Sequence, residues 1–155
     1  MKAQKNDPMF QLAEIQVSYY PNFKANERPK ISNSQDAYDV FLSKWDIGQI
    51  NLREQFYMLI LNKANRVIGI TEISKGGMSG TVADPKLIFS IALKSCGASL
   101  ILAHNHPSQN FQPSMQDLAI TKKLVEAGNL LEIVIHDHLI ITQDKFYSFG
   151  DEGLI

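Results

Sequence analysis

The segment Ser99-Leu-Ile-Leu-Ala103 runs directly into His104-Asn-His106-Pro107, so a fully apolar stretch ends on two histidines one residue apart. The apolar part reads as a short strand, Ala98–Ala103, with strong strand formers and no polar alternation. A surface loop has no need of a histidine pair placed at the end of such a strand. In an extended chain, side chains two residues apart leave the same side of the backbone, so both imidazoles can converge on one ion.

The rest of the chain supplies layers for that strand. Ile15, Val17 and Tyr19 alternate with polar residues and predict a first strand, followed by an exposed connection over Pro21–Lys30. Ser32 or Ser34 can cap a helix carrying Ala37, Tyr38, Phe41 and Trp45, with an end expected near Asp46-Ile47-Gly48. Phe56–Leu61 and Arg66–Ser74 are β-rich runs joined by the polar turn Asn62–Asn65 and should pair antiparallel. Asp84-Pro85 opens a helix that Gly97 should stop, and Pro113-Ser114 opens another for which Gly128 is the expected C-cap. Ile133–Ile141 and Phe146–Phe149 close the chain as strands. The expected class is α/β: residues 1–10 ragged, then one domain over 11–155 with helices flanking a largely antiparallel mixed sheet.

Composition bounds the function. At 155 residues the chain suits one domain, which at this size buries roughly two thirds of its unfolded surface. Fifteen Lys and Arg against sixteen Asp and Glu leave a net charge of −1, which gives no global pull toward nucleic acid or an anionic membrane. The single cysteine, Cys96, excludes an internal disulfide framework and a thiolate-rich zinc site, and reads as a small packing residue in a reducing, cytoplasmic setting. No apolar run approaches the ~20 residues of a membrane span, and no apolar core follows the charged start, so neither span nor signal peptide is expected.

A catalytic zinc site needs a third protein ligand and an open position. Asp117 is the nearest carboxylate downstream, and a turn stiffened by Pro107 and Pro113 could bring the next helix start back to the strand end. Ser114-x-x-Asp117 is equally a capping box in short acidic form, which by itself only satisfies backbone donors. A second pair, His136-Asp137-His138, has the same spacing as the first, but its apolar flanks predict a buried strand in which a histidine is hydrogen-bonded structure beside the site and not a ligand. Deaminase, H-E-x-x-H, G-x-S-x-G and phosphate-cradle motifs are absent, and Gly76-Gly77 and Ser79-Gly80 read as turns.

The ordered run His104-x-His106, Ser114, Asp117 resembles the JAMM signature of MPN-type metalloproteases. The strings AHNHPS, PSMQDLAITKKL and DHLII resemble the RadC family over about Phe56–Phe149. The resemblance implies a single MPN-type domain with one Zn²⁺ per chain held by His104, His106 and Asp117. It also implies a peptidase or isopeptidase-like activity, with Ser114 donating to the oxyanion, and a family name tied to DNA repair. It further calls for a catalytic glutamate on an earlier strand, and Glu72 in GITEISKGG matches. Period-two alternation places Glu72 on one face with Ile68 and Ile70, where a carboxylate needs a partner.

Two departures stand out. The family's glycine after HNHPS is Gln109 here, and no helix-hairpin-helix segment is found, so the chain resembles the catalytic module, with a peptide or isopeptide partner and no strong nucleic-acid binding expected. Against the zinc hydrolase stand a non-catalytic scaffold of the same fold and a nucleic-acid-binding repair protein.

Overall fold

The computed structural model describes residues 16, 20, 22–76 and 83–155. The expected strand Ile15–Tyr19 and most of the Gly76–Gly80 turn material lie outside them. Among the described residues, α1 (Ser34–Leu42) precedes β1 (Gln55–Leu61) and β2 (Val67–Lys75); then come α2 (Pro85–Lys94), β3 (Ser99–Asn105), α3 (Met115–Leu130), β4 (Val134–Ile141) and β5 (Phe146–Ser148). The five strands form one sheet in the order β2-β1-β3-β4-β5, antiparallel throughout except for the parallel pair β3/β4. That exception follows from α3, whose 16 residues provide the crossover a parallel pair requires.

Each face of the sheet has its own core. Phe56, Met58, Ile60, Leu100 and Leu102 pack with Ile88, Phe89 and Ala92 of α2 and Leu124 of α3. Leu59, Leu61, Ile101, Ala103, Leu139 and Ile141 pack on the other side with Ala37, Tyr38 and Phe41 of α1. The central strand β3 is therefore buried at every position, which is why it reads as apolar without alternation.

Four helix boundaries differ from expectation. Asn33 caps α1, accepting from the Asp36 N–H at 2.9 Å, and not Ser32 or Ser34. The helix stops at Leu42, four residues early, although Trp45 stays buried and its N–H still reaches the Phe41 carbonyl at 2.9 Å. After α2 the left-handed residue is Cys96 (φ 54°), while the Gly97 N–H closes the turn on the Ala92 carbonyl at 2.9 Å. Cys96 is consequently exposed and is no packing residue. Gly97 is needed for space: a Cβ there would sit 2.5 Å from Ile60 Cγ2. Gly128 likewise lies inside α3, where a Cβ would meet the Ile133 carbonyl oxygen at 2.4 Å, and Glu132 (φ 56°) takes the left-handed position.

Irregularities in register set the site. β2 has bulges at Ile68 and Ile73, where Leu61 pairs with Val67 after Ile60 with Gly69, and Tyr57 with Glu72 after Phe56 with Ser74. β4 has one at His136, since Leu100 pairs with Ile135 but Ile101 with Asp137. Each extra residue reverses which face the following side chains meet.

Candidate metal centre

β3 runs through His104 and Asn105, so the first histidine belongs to the buried strand and the second to the turn beyond it. His104 is 1% exposed, while the His106 ring is partly open. α3 begins beside them: the Ser114 hydroxyl accepts from the Asp117 N–H at 3.2 Å, and Asp117 Oδ2 accepts from the Ser114 N–H at 2.7 Å and from its hydroxyl at 2.6 Å. The capping box and the candidate metal-holding cluster thus share Asp117, because capping turns its carboxylate back toward the strand end.

The donor atoms converge. His104 Nε2 lies 3.0 Å from His106 Nε2 and 3.1 Å from Asp117 Oδ1, and His106 Nε2 lies 3.4 Å from Asp117 Oδ2. One ligand atom from each residue falls within 4.8 Å of the others. His106 Nδ1 is 2.6 Å from the Asn110 carbonyl oxygen, which can only accept, so Nδ1 carries the proton and a neutral ring offers bare Nε2 to the cluster. With His106 Nε2 and the Asp117 carboxylate both accepting, the space between them calls for a proton carried by an imidazole nitrogen or for a metal ion. The titration of the groups reflects this. Burial pushes the Asp117 carboxyl up, but bonds from His104, His106 and Ser114 outweigh it and hold the group far below the usual carboxylate range. Asp117 in turn raises His106 above its ordinary value, against the opposing effect of burial. Two imidazole nitrogens and a carboxylate oxygen, with His106 open to one side, fit Zn²⁺ with a position left for water.

The rival pair is split by the bulge. His136 is exposed, Asp137 turns to the α1 face, and His138 turns to the His104 face. His138 is completely buried, with Nε2 at 2.8 Å from His104 Nδ1 and Nδ1 at 2.6 Å from the Thr121 hydroxyl. Burial, reinforced by the charge of His104, holds it well below the usual imidazole range. It contacts His104 and lies outside the cluster of His104, His106 and Asp117.

Glu72 is not brought to the cluster. The bulge at Ile73 pairs it with Tyr57, and cross-strand neighbours share a face. Tyr57 packs on Trp45 with ring centroids 4.5 Å apart, on the α1 side and away from His104. Its carboxylate accepts from Gln55 Nε2 and Tyr57 Oη, each at 2.9 Å, and pairs with Lys75 at 3.5 Å. Burial raises its pKa, but those three partners outweigh it and the net shift is downward. Tyr57 is pushed up to about 12, chiefly by burial and then by the bond to Glu72. The alternation argument failed because the bulge at Ile68 also put Ile68 and Ile70 on opposite faces.

The carboxylate on the histidine side is Glu54. It stands two residues before Phe56, which pairs with His104, so strand alternation directs it to the same face as Phe56 and its charge is felt at His106. It is half-buried, and its charge contributes to the raised pKa of His106. Asn105, between the two histidines, holds this segment in place. Its amide donates to the carbonyls of Ile50 (2.6 Å) and Arg53 (2.9 Å), and its Oδ1 accepts from the Gln55 N–H at 2.8 Å. Sequence reasoning missed both residues. A fully buried asparagine flanked by the two ligands was a readable signal, whereas the register that selects Glu54 was not.

Gln109 adopts φ 60°, the left-handed conformation a glycine takes freely, at a cost of ~1 kcal/mol. The turn is closed by its N–H to the His106 carbonyl (2.8 Å) and its amide to Asn51 Oδ1 (3.1 Å), so the departure from glycine changes the strain and keeps the turn.

Comparison with known proteins gives a coherent result. Residues 31–154 match the family described as RadC-like JAB domain. A UPF0758 protein of Flavobacterium johnsoniae is 46% identical over 125 residues, covering 81% of this chain and 53% of that protein. One from Porphyromonas gingivalis is 38% identical over 139 residues (87% and 59%), and one from Desulforamulus reducens 43% over 103 (66% and 45%). The chain spans about half the length of these relatives.

Proposed function

The chain belongs to the RadC family as a RadC-like JAB domain, and from that membership and the site we propose that it is a zinc-dependent hydrolase of peptide or isopeptide bonds. One observation carries the reading: two imidazole nitrogens and a carboxylate oxygen, from β3, the turn beyond it and the first turn of α3, face one another at 3.0 to 3.4 Å, an arrangement suited to one small cation. A scaffold has no need of it.

When bound, the ion supplies Lewis-acid activation of water and of the scissile carbonyl. His104, His106 and Asp117 would hold it. Glu54, on the histidine face, takes the proton from the attacking water and returns it to the leaving nitrogen. Ser114 fixes the Asp117 carboxylate, and its single proton reaches an oxyanion only by exchanging that bond. The near-neutral charge favours a peptide over a nucleic-acid partner. Among the described residues no helix is long and apolar enough to cross a membrane.

The test is cleavage of a peptide library, prepared from a bacterial proteome and read by mass spectrometry, with zinc-loaded and chelated protein. Glu54→Gln should keep its zinc and lose at least about two orders of magnitude in rate, while Glu72→Gln should cleave like the parent. Absence of metal-dependent cleavage would sink the reading, and an unimpaired Glu54→Gln would remove the proposed base.

A further inference from the structure

A histidine ligates a metal through Nε2 only if the ring's proton sits on Nδ1. For His106 the Asn110 carbonyl enforces that tautomer. For His104 nothing so simple is available, because its Nδ1 faces another imidazole, His138 Nε2, at 2.8 Å. An imidazole either donates or accepts, so the partner's own state decides.

That state is set one step further out. The Thr121 hydroxyl has one proton, and it lies 2.6 Å from the Asp117 backbone carbonyl oxygen, which can only accept. The hydroxyl therefore donates there and must accept at its other contact, His138 Nδ1 at 2.6 Å. His138 then carries its proton on Nδ1. Its ring is fully buried, and the partners of its two nitrogens are an imidazole and a hydroxyl with no carboxylate, so the ring is neutral, Nε2 accepts and His104 Nδ1 must be the donor. His104 Nε2 is left bare, directed at His106 and Asp117.

We infer that Thr121 and His138 are positioning residues that fix the tautomer of His104, through a one-way hydrogen-bond chain running from His104 to His138, Thr121 and the Asp117 carbonyl. The chain begins at one proposed ligand and ends on the backbone of another. It therefore also ties β3 to the first turn of α3 through β4, at a spacing suited to one small cation. Its consequence for metal affinity rests on the zinc reading, whereas the tautomers themselves do not.

The experiment uses the metal-free protein with ¹⁵N-labelled histidine, read by long-range ¹H–¹⁵N correlation at about pH 9, where imidazoles are neutral. His104 and His138 should both show Nδ1–H, the minor form of histidine in water. Thr121→Val removes the deciding acceptor at constant shape, so His104 should shift toward Nε2–H, and zinc affinity, measured against a chromophoric chelator, should fall by about 10–100-fold. Thr121→Ser should restore both. Nε2–H at His104 in the parent protein, or a Thr121→Val variant with parent tautomers and parent affinity, would overturn the inference. Should Thr121→Val not fold, the parent spectrum and Thr121→Ser still decide it. Parent protein with the Nδ1–H pattern but no zinc affinity would support the chain while refuting the metal reading.

Discussion

Asp117 and Asp137 are both buried, and they sit against opposite faces of the same sheet in opposite surroundings. Asp137 meets only donors: the Ser148 hydroxyl at 2.6 Å and the N–H groups of His138 at 2.7 Å and Gly150 at 2.8 Å. Burial raises its pKa, and those bonds counter it only in part. Asp117 has donors on its outer side, from Ser114, and on its inner side imidazole nitrogens that donate to it only when protonated and are bare in the neutral rings. A carboxylate whose partners all donate is complete and belongs to the fold. One that looks at other acceptors is incomplete until a cation arrives, and that difference separates a structural acid from a ligand without reference to motif.

The largest expected effect follows on the incomplete side. Purified protein should carry about one zinc per chain by elemental analysis, and His106→Ala should lose most of it, since two remaining ligands hold the ion poorly. Full stoichiometry in that variant would place the metal elsewhere and break the comparison.

The next effect contrasts the two acids directly. Asp137→Ala strands a hydroxyl and two backbone N–H groups and should cost roughly 1–3 kcal/mol in urea unfolding. Asp117→Asn, in metal-free protein near pH 9 where the imidazoles are neutral, exchanges an acceptor for a donor that their nitrogens can use, and should change stability by no more than ~1 kcal/mol through loss of charge at the helix start. Equal losses would mean that both acids serve the fold alone.

The smallest effect is the sign of a pH slope. The raised His106 pKa contributes stability that is full below the ordinary imidazole value of ~6.5 and is lost as pH rises through the raised one. The lowered Asp117 pKa contributes stability present above the ordinary carboxyl value of ~3.9 and lost only as pH falls through the depressed one. The lowered His138 pKa acts oppositely but only up to about pH 7, where the unfolded imidazole is already neutral, so metal-free protein should melt at lower temperature as pH climbs from about 7 to 9. Zinc-loaded protein should gain from about 5 to 7, because protons compete with the ion for imidazole. Thermal melts with chelator and with zinc would sharpen the comparison, and parallel slopes would argue against a shared site.

The clustering of His104, His106 and Asp117 and the class of fold were legible in the sequence because both rest on local pattern. His104, His106 and Asp117 lie within one strand, one turn and one helix cap, and the apolar pattern of Leu100–Ala103 requires cover on both faces whatever its neighbours. What only the tertiary structure decided is everything that depends on counting residues across strands. One extra residue at Ile73 sends Glu72 to the α1 face, and one at His136 sends His138 to the ligands and Asp137 away from them. The pairing of Phe56 with His104 puts the start of β1, and the charge of Glu54, on the histidine side. A bulge carries no distinctive residue here, and since the side-chain period of a strand is two, a single insertion reverses every assignment beyond it.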